Sequence, residues 1–131
     1  MSLDLSVINL CVSVNAMKSH LSIDKLTKTN FNNREDWDTY PTSDYSCDKC
    51  GQVISISFQN LNKHQFSKST KLSENDAAEM TDLEIAAPEL QTNSFLDFYC
   101  PTCHRPVRIY YDAWAGGNHM EAGHTIKFVV D

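Results

Sequence analysis

Four of the five cysteines fall into two pairs, and two residues separate the thiols within each pair. The pairs are Cys47-Asp-Lys-Cys50 and Cys100-Pro-Thr-Cys103, with 49 residues (51–99) between them. A tight turn of this spacing places both sulfurs on one tetrahedral ion, and amides of the same turn donate to the sulfurs. Two such turns supply four thiolates, the closed set that structural zinc prefers. The sequence therefore predicts one structural zinc ion bound by all four residues.

Other chemistries use the same cysteines. The run Phe95–Tyr99 enters Cys100-Pro-Thr-Cys103 as a strand enters a dithiol redox motif, although a strand-like stretch after Pro106 stands where such a motif has a helix. The stretch from Cys100 to His104 also matches the C-x-x-C-H sequence of covalent haem attachment. Each of these leaves the first pair without a role, which favours the metal site. Four thiolates accept iron as well as zinc, and four free thiols are the remaining alternative.

The charge balance limits the partners of this chain. Its 131 residues contain 11 Lys and Arg against 17 Asp and Glu, a formal charge of −6, and this length argues for one domain. Four thiolates with one divalent cation add −2, so −6 and −2 bring the metal-loaded chain near −8. Because phosphate contacts need clustered Lys and Arg, general nucleic-acid binding is unfavourable for such a chain.

The cell compartment follows from the N-terminal stretch and the apolar runs. No apolar run approaches the roughly 20 residues of a membrane helix. The N-terminal stretch contains Asp4 and has no basic residue before Lys18, unlike a signal peptide. We therefore expect a cytoplasmic protein with no membrane partner, beginning at Met1 or at Met17.

Strand-like runs flank both cysteine pairs. Residues 53–58 alternate with period 2 after the first pair, and residues 95–99 and 107–111 flank the second. A last alternating run, residues 125–130, is expected to pair with 107–111. The fold class predicted is a small β-rich (α+β) domain with two β-hairpins tipped by C-x-x-C, a C-terminal strand and a short helical insert.

The chain divides by composition at residue 44. Residues 1–44 are predicted to be an N-terminal segment and polar linker that packs on the core, with a short helix near residues 22–28 and Cys11 as a buried apolar side chain. Residues 45–131 form the predicted domain, with an acidic insert at 60–94. Ser73 and Thr81 are helix-start signals within this insert, and Pro88 ends the second helix.

The stretch from Tyr45 to Tyr111 resembles the zinc-ribbon class, in which two hairpins with C-x-x-C turns clamp one zinc ion. Gly51 follows the first pair as is usual there, whereas His104 stands where glycine is common in the second. The resemblance implies that the four cysteines are the zinc ligands. It leaves the function open, because the ribbon is a scaffold in transcription, translation, enzyme and adaptor proteins.

The insert predicts a partner-binding surface. From Leu72 to His104 the chain has seven acids and no Lys or Arg, a distribution that attracts a basic protein. We expect a non-enzymatic protein that binds a basic partner, in the form of an immunity-type or phage-type inhibitor of a target such as a nuclease. The residues predicted to bind are Glu74, Asp76, Glu79, Asp82 and Glu84, with Trp114 or Trp37 as an aromatic anchor.

Two other functions remain open at this point. A zinc-ribbon accessory factor in transcription or translation would contact nucleic acid through Arg105, Arg108 and Lys127. A hydrolytic enzyme would use the loop that carries His119 and His124, with Asp112 and Glu121. The alternative without a catalytic role is that this loop is a glycine-rich hairpin turn.

Overall fold

The computed structural model describes residues 25–37, 41–86, 91–116 and 121–131. Over these residues the structure is small and β-rich, with two short helices and two antiparallel sheets. In chain order the elements are β1 (Asn30–Asn32), β2 (Thr42–Ser46), β3 (Val53–Ser57), α1 (Phe58–His64), α2 (Glu74–Ala86), β4 (Ser94–Tyr99), β5 (Pro106–Ala115) and β6 (Ala122–Val130). The two-stranded sheet pairs β2 with β3, and the four-stranded sheet has the order β1-β6-β5-β4.

Both cysteine pairs lie in the turns of antiparallel hairpins. Strand β2 pairs with β3 from Ser46 opposite Val53, which places residues 47–52 in the connecting turn. Strand β4 pairs with β5 from Tyr99 opposite Pro106, which places residues 100–105 in the second turn. The predicted hairpins are confirmed, and β6 pairs with β5 as expected, with an irregularity in register between Tyr110 and Tyr111.

The four-stranded sheet is covered on both faces. Neighbouring residues of a strand point to opposite faces, and Ile109 belongs to one core cluster whereas Tyr110 belongs to the other. The Ile109 face packs against the two-stranded sheet and α1, which contribute Tyr45 and Leu61. The Tyr110 face packs against α2 through Met80, Leu83 and neighbouring residues. The cysteine turns therefore project from a core that both hairpins share.

Two predictions about where helices begin need correction. The alternating run was predicted to remain a strand through Phe58, but β3 ends at Ser57, whose hydroxyl accepts from the Asn60 N–H (3.3 Å) and caps α1. The insert was predicted to start helices at both Ser73 and Thr81, but α2 is one continuous helix. The Thr81 hydroxyl donates to the Ala77 carbonyl within this helix (3.0 Å) and so caps nothing.

Part of the predicted linker is regular structure. Strand β1 pairs with β6, with Phe31 opposite His124, and Leu26 forms an isolated bridge with Tyr45. The boundary at residue 44 falls inside β2. Residues 25–28 form a turn and that bridge where a short helix was expected. The predictions that rest on other positions lie outside the described residues: Cys11, Met17, residues 22–24, Pro88 and His119.

The described helices are short. Among them, none has the length and apolar character needed to cross a membrane.

Candidate metal centre

The two cysteine turns share one backbone hydrogen-bond pattern. We call residues 47–52 the first knuckle and residues 100–105 the second knuckle. In the first, the Cys47 N–H donates to the Gln52 carbonyl (2.9 Å) and the Gly51 N–H donates to the Cys47 carbonyl (2.8 Å). The second repeats both bonds at 2.8 Å, with Cys100, Arg105 and His104 in the corresponding positions. The same turn geometry therefore presents each pair of thiols.

The residue after each pair has a positive φ. Gly51 has φ 80° and His104 has φ 61°, which is the left-handed region that L side chains rarely adopt. Glycine reaches this region without steric cost, whereas histidine does not. The second knuckle therefore holds His104 in a strained conformation in order to keep the turn.

The four sulfurs converge on one point. All four Sγ atoms lie within 4.8 Å of one another. Two of the separations join different knuckles: 3.7 Å between Cys47 and Cys103, and 3.5 Å between Cys50 and Cys100. A disulfide needs about 2.05 Å, whereas tetrahedral zinc with bonds of about 2.3 Å holds its sulfurs about 3.8 Å apart. The arrangement fits one tetrahedral ion, and zinc is consistent with it.

Backbone amides favour thiolates in both knuckles. The Cys103 N–H, with help from the Thr102 N–H, outweighs burial and lowers the pKa of Cys100 to about 6. At Cys47, burial opposes ionisation, but the N–H groups of Cys50 and Lys49 lower the pKa overall. Amide donors of this kind are the usual support of metal-bound thiolates.

One thiol resists ionisation in the absence of a cation. The Gln52 N–H favours the Cys50 thiolate, but desolvation and the hydrogen bonds to Cys100 and Cys47 raise the pKa of Cys50 to about 12. Like charges at this distance cannot all form in one site unless a cation neutralises them. The donor set therefore fits a divalent ion that binds four thiolates.

An ionic network lies beside the first knuckle. The Asp131 carboxylate accepts from the Tyr45 hydroxyl (2.6 Å) and from Lys25 Nζ (2.6 Å), and it lies 3.5 Å from Arg105. Arg105 and Lys25 also pair with Asp48 of the knuckle, and the Arg105 hydrogen bond lowers the pKa of Asp48. Sequence reasoning missed Lys25 and Asp131, because no spacing rule connects residues so distant from the cysteines. This network ties the first knuckle to the second through Arg105.

The five predicted partner-binding acids have different environments. Glu74, Glu79 and Asp82 are exposed on α2. Asp76 accepts from the Tyr99 hydroxyl (2.5 Å), and Glu84 lies 3.3 Å from Arg108. Two of the five acids are therefore engaged within the protein, and three face solvent.

The predicted aromatic anchor lies away from these acids. Trp114 is half exposed, and its indole N–H donates to the Thr125 hydroxyl (3.2 Å). It stands four residues along β5 from Tyr110, where α2 packs, a separation of about 13 Å along a strand. Trp37 is more exposed and packs against Phe58, with ring centroids 5.8 Å apart.

The residues of the other two functions are mostly buried or paired. Arg108 is 3% exposed and bonds to Asp97. Arg105 belongs to the ionic network, so Lys127 is the exposed cation of the three proposed for nucleic acid. His124 is buried in the core between the rings of Phe58 and Tyr111, and burial lowers its pKa to about 4.

The remaining residues proposed for hydrolysis have protein partners. Asp112 accepts from the Asn93 N–H (3.1 Å), and Glu121 lies 3.3 Å from Arg34. Among the described residues, Asp112, Glu121 and His124 therefore do not form one accessible site.

Comparison with models of known protein families, with curated proteins and with solved structures finds no match for this chain. The four-cysteine cluster is compatible with a zinc-ribbon-like site.

Proposed function

We propose that this chain is a zinc-ribbon-like protein in which Cys47, Cys50, Cys100 and Cys103 hold one structural zinc ion. The observation that carries the proposal is the convergence of four sulfurs from two matched knuckles within 4.8 Å. Dithiol redox chemistry and covalent haem attachment each use one pair alone, so neither accounts for the convergence of both. For a site of this kind the free energy of metal binding, on the order of 10 kcal/mol, is free energy of folding.

The test of the metal site is native mass spectrometry with elemental analysis of the purified chain. We expect one zinc per chain, lost in Cys47→Ser and in Cys100→Ser and retained in Cys11→Ser, the matched control at the fifth cysteine. A strong chelator should unfold the wild type, because the ion joins the two hairpins. A protein that contains no metal, or that keeps its metal in both knuckle variants, would contradict the proposal. If the protein absorbs visible light and elemental analysis finds iron, the four-cysteine site is supported but its metal is iron and not zinc.

We further propose that the protein is not an enzyme and that it binds a basic protein partner through the outer face of α2. Glu74, Glu79 and Asp82 are exposed there, and the sequence from Leu72 to His104 has no Lys or Arg to offset them. Ile85, 75% exposed on the same helix, adds an apolar group beside the acids. The acids of such a surface attract a positively charged partner, and the apolar side chain then packs against the apolar centre of the partner's interface. An immunity-type or phage-type inhibitor of a basic nuclease is the form we expect.

The test reverses the three exposed acids together. The variant Glu74→Lys/Glu79→Lys/Asp82→Lys should lose a basic protein that the wild type retains from a lysate of its own source. Glu35→Lys, a charge reversal of an exposed acid on another part of the chain, is the control and should retain that protein. The interaction should weaken as salt rises, because exposed charges are screened. If the wild type, the triple variant and Glu35→Lys retain the basic protein equally, or if salt does not weaken the interaction, the proposed surface is refuted.

The nucleic-acid alternative predicts a different measurement. It requires salt-dependent affinity for DNA or RNA at low ionic strength that Lys127→Glu abolishes. The hydrolytic alternative requires His119→Ala to remove an activity.

A further inference from the structure

A cavity of about 400 Å³ lies on the side of the four-stranded sheet that α2 covers. Its walls come from α2, from the segment that follows α1 and from strands β4 and β5. This volume lies in the range of clefts that bind small molecules. Neither the metal site nor the exposed face of α2 uses it. The residues that carry the argument below are Phe66, Thr70, Glu84, Phe95, Arg108 and Tyr110.

The wall of this cavity includes a buried hydroxyl without a hydrogen bond. Tyr110 is 1% exposed, and its hydroxyl makes no hydrogen bond of normal geometry among the described residues. The Glu84 carboxylate and the Arg108 guanidinium lie close enough to influence its pKa. Burial raises the pKa of Tyr110, so the phenol is neutral and keeps its proton as a donor. A buried polar group left unpaired destabilises the protein, and a ligand that accepts this hydrogen bond recovers that free energy.

Arg108 supplies a second donor without supplying net charge. Its guanidinium donates to Asp97 through Nε (3.1 Å) and one terminal nitrogen (2.9 Å), and that nitrogen also donates to the Thr70 hydroxyl (3.3 Å). The other terminal nitrogen donates to Glu84 (3.3 Å). These bonds use four of the five guanidinium N–H groups, and the two carboxylates more than neutralise the single positive charge. The wall therefore favours an uncharged acceptor over an anion.

Two aromatic rings supply an apolar surface. Phe95 lies under the Arg108 guanidinium, 4.1 Å from its ring centroid. Phe66 is 62% exposed and has φ 57°, a conformation that is unusual for a bulky side chain. Its N–H donates to the Ser94 hydroxyl (3.0 Å), which holds this backbone in place. Backbone strain of this kind clusters at binding sites, where a side chain must be presented in a fixed direction.

We propose that this cavity binds a small uncharged molecule that combines a flat aromatic ring with a carbonyl oxygen. The carbonyl accepts from the Tyr110 hydroxyl and from the remaining N–H of Arg108, and the ring packs against Phe66 and Phe95. This binding activity is separate from the metal site and from the partner surface of α2.

The test is a titration of the metal-loaded full chain with benzamide, followed by amide chemical shifts in NMR. A ligand of this size should bind with a Kd of about 1–10 mM. We expect saturable shifts at Phe66, Ser94, Phe95 and Tyr110. Tyr110→Phe should weaken binding by about 5-fold or more, since one hydrogen bond to a buried group is lost.

Matched controls separate this site from general apolar binding. Tyr111→Phe makes the same chemical change at the next residue, which faces the other core cluster, and should bind benzamide as the wild type does. Acetamide, a carbonyl compound without a ring, should bind at least tenfold more weakly. Absence of saturable shifts, equal binding by Tyr110→Phe, or tighter binding of benzoate than of benzamide would overturn the proposal. The last result would assign the site to an anion at the exposed Lys68 of the cavity wall.

Discussion

Replacing His104 by glycine should stabilise the folded, metal-loaded protein. His104 follows the second cysteine pair with φ 61°, in the position that Gly51 occupies with φ 80° in the first knuckle. A left-handed conformation costs an L residue about 1–2 kcal/mol, and glycine removes that cost. The imidazole is exposed, so its loss leaves no cavity in the core.

Part of this stabilisation is offset, because glycine gives the unfolded chain more conformational freedom. Glycine loses more backbone entropy on folding than other residues, a penalty of about 0.5–1 kcal/mol. The net stabilisation expected for His104→Gly is therefore about 0.5–1 kcal/mol. For a chain of this length that corresponds to an increase in Tm of about 2–4 °C. Gly51→Ala should have the opposite effect and a similar size, because no atom lies within 4 Å of an added Cβ and only the backbone is strained.

Urea unfolding at saturating zinc measures these changes, with thermal unfolding as a second probe. His104→Ala is the control that separates backbone from side chain, because it removes the imidazole but keeps a Cβ. It should show none of the gain of His104→Gly. If His104→Ala and His104→Gly stabilise equally, or if His104→Gly destabilises, backbone strain is not stored at this residue and the reasoning fails.

Other substitutions test the core. Tyr110→Phe should leave the free energy of unfolding unchanged or raise it by up to about 1 kcal/mol, whereas Tyr111→Phe should lower it by about 1–2 kcal/mol in urea unfolding. The difference arises because the Tyr111 hydroxyl donates to the buried Leu61 carbonyl (2.6 Å), while that of Tyr110 makes no hydrogen bond of normal geometry among the described residues. Burial gives His124 a pKa of about 4 in the folded state, below the ordinary histidine value of 6.5, so its contribution to stability is present above pH 6.5 and is lost as pH falls towards 4. That loss amounts to about 3 kcal/mol, and His124→Phe should lack this part of the pH dependence in denaturation curves. Gly123→Ala should destabilise by more than about 2 kcal/mol in thermal unfolding, because its Cβ would lie 2.2 Å from a β1 carbonyl oxygen and 2.4 Å from a tryptophan ring.

The sequence predicted the parts of the fold that local pattern controls. Period-2 runs around each C-x-x-C were enough to predict both hairpins and the pairing of β6 with β5, since turn spacing and alternation specify register. The convergence of the four cysteines followed from the same pattern, because a ligand set at the tips of two hairpins has few ways to be satisfied. Local rules and tertiary structure agree in this part of the chain.

The remaining features depend on contacts that no local pattern encodes. Strand β1 has the turn-forming sequence Asn30–Asn32 and is a strand because it pairs with β6. Helix α1 is capped by Ser57, and Asn60 takes the place of the usual Glu or Gln of a capping box. Because a β-branched run precedes Ser57, the sequence pattern indicates a strand there and not the start of a helix. Arg108 and Asp97 lie in strand-like runs with nothing to indicate that they form a buried pair. Burial of such a pair is a tertiary property, because each charge is stable inside the protein only beside the other.

The 49 residues between the two cysteine pairs have a consequence for how this chain tolerates change. Loop-closure entropy rises only with the logarithm of length, about 0.6 kcal/mol for each doubling. Closing a loop of 49 residues in place of the roughly 17 that are common between such pairs therefore costs about 1 kcal/mol more. This is a small fraction of the free energy with which four thiolates bind a structural zinc ion. Helices α1 and α2 and much of the cavity wall lie in this span. A metal ion bound by all four cysteines would fix the two ends of the span, and its interior could then lengthen, shorten or acquire new side chains while the hairpins stay joined.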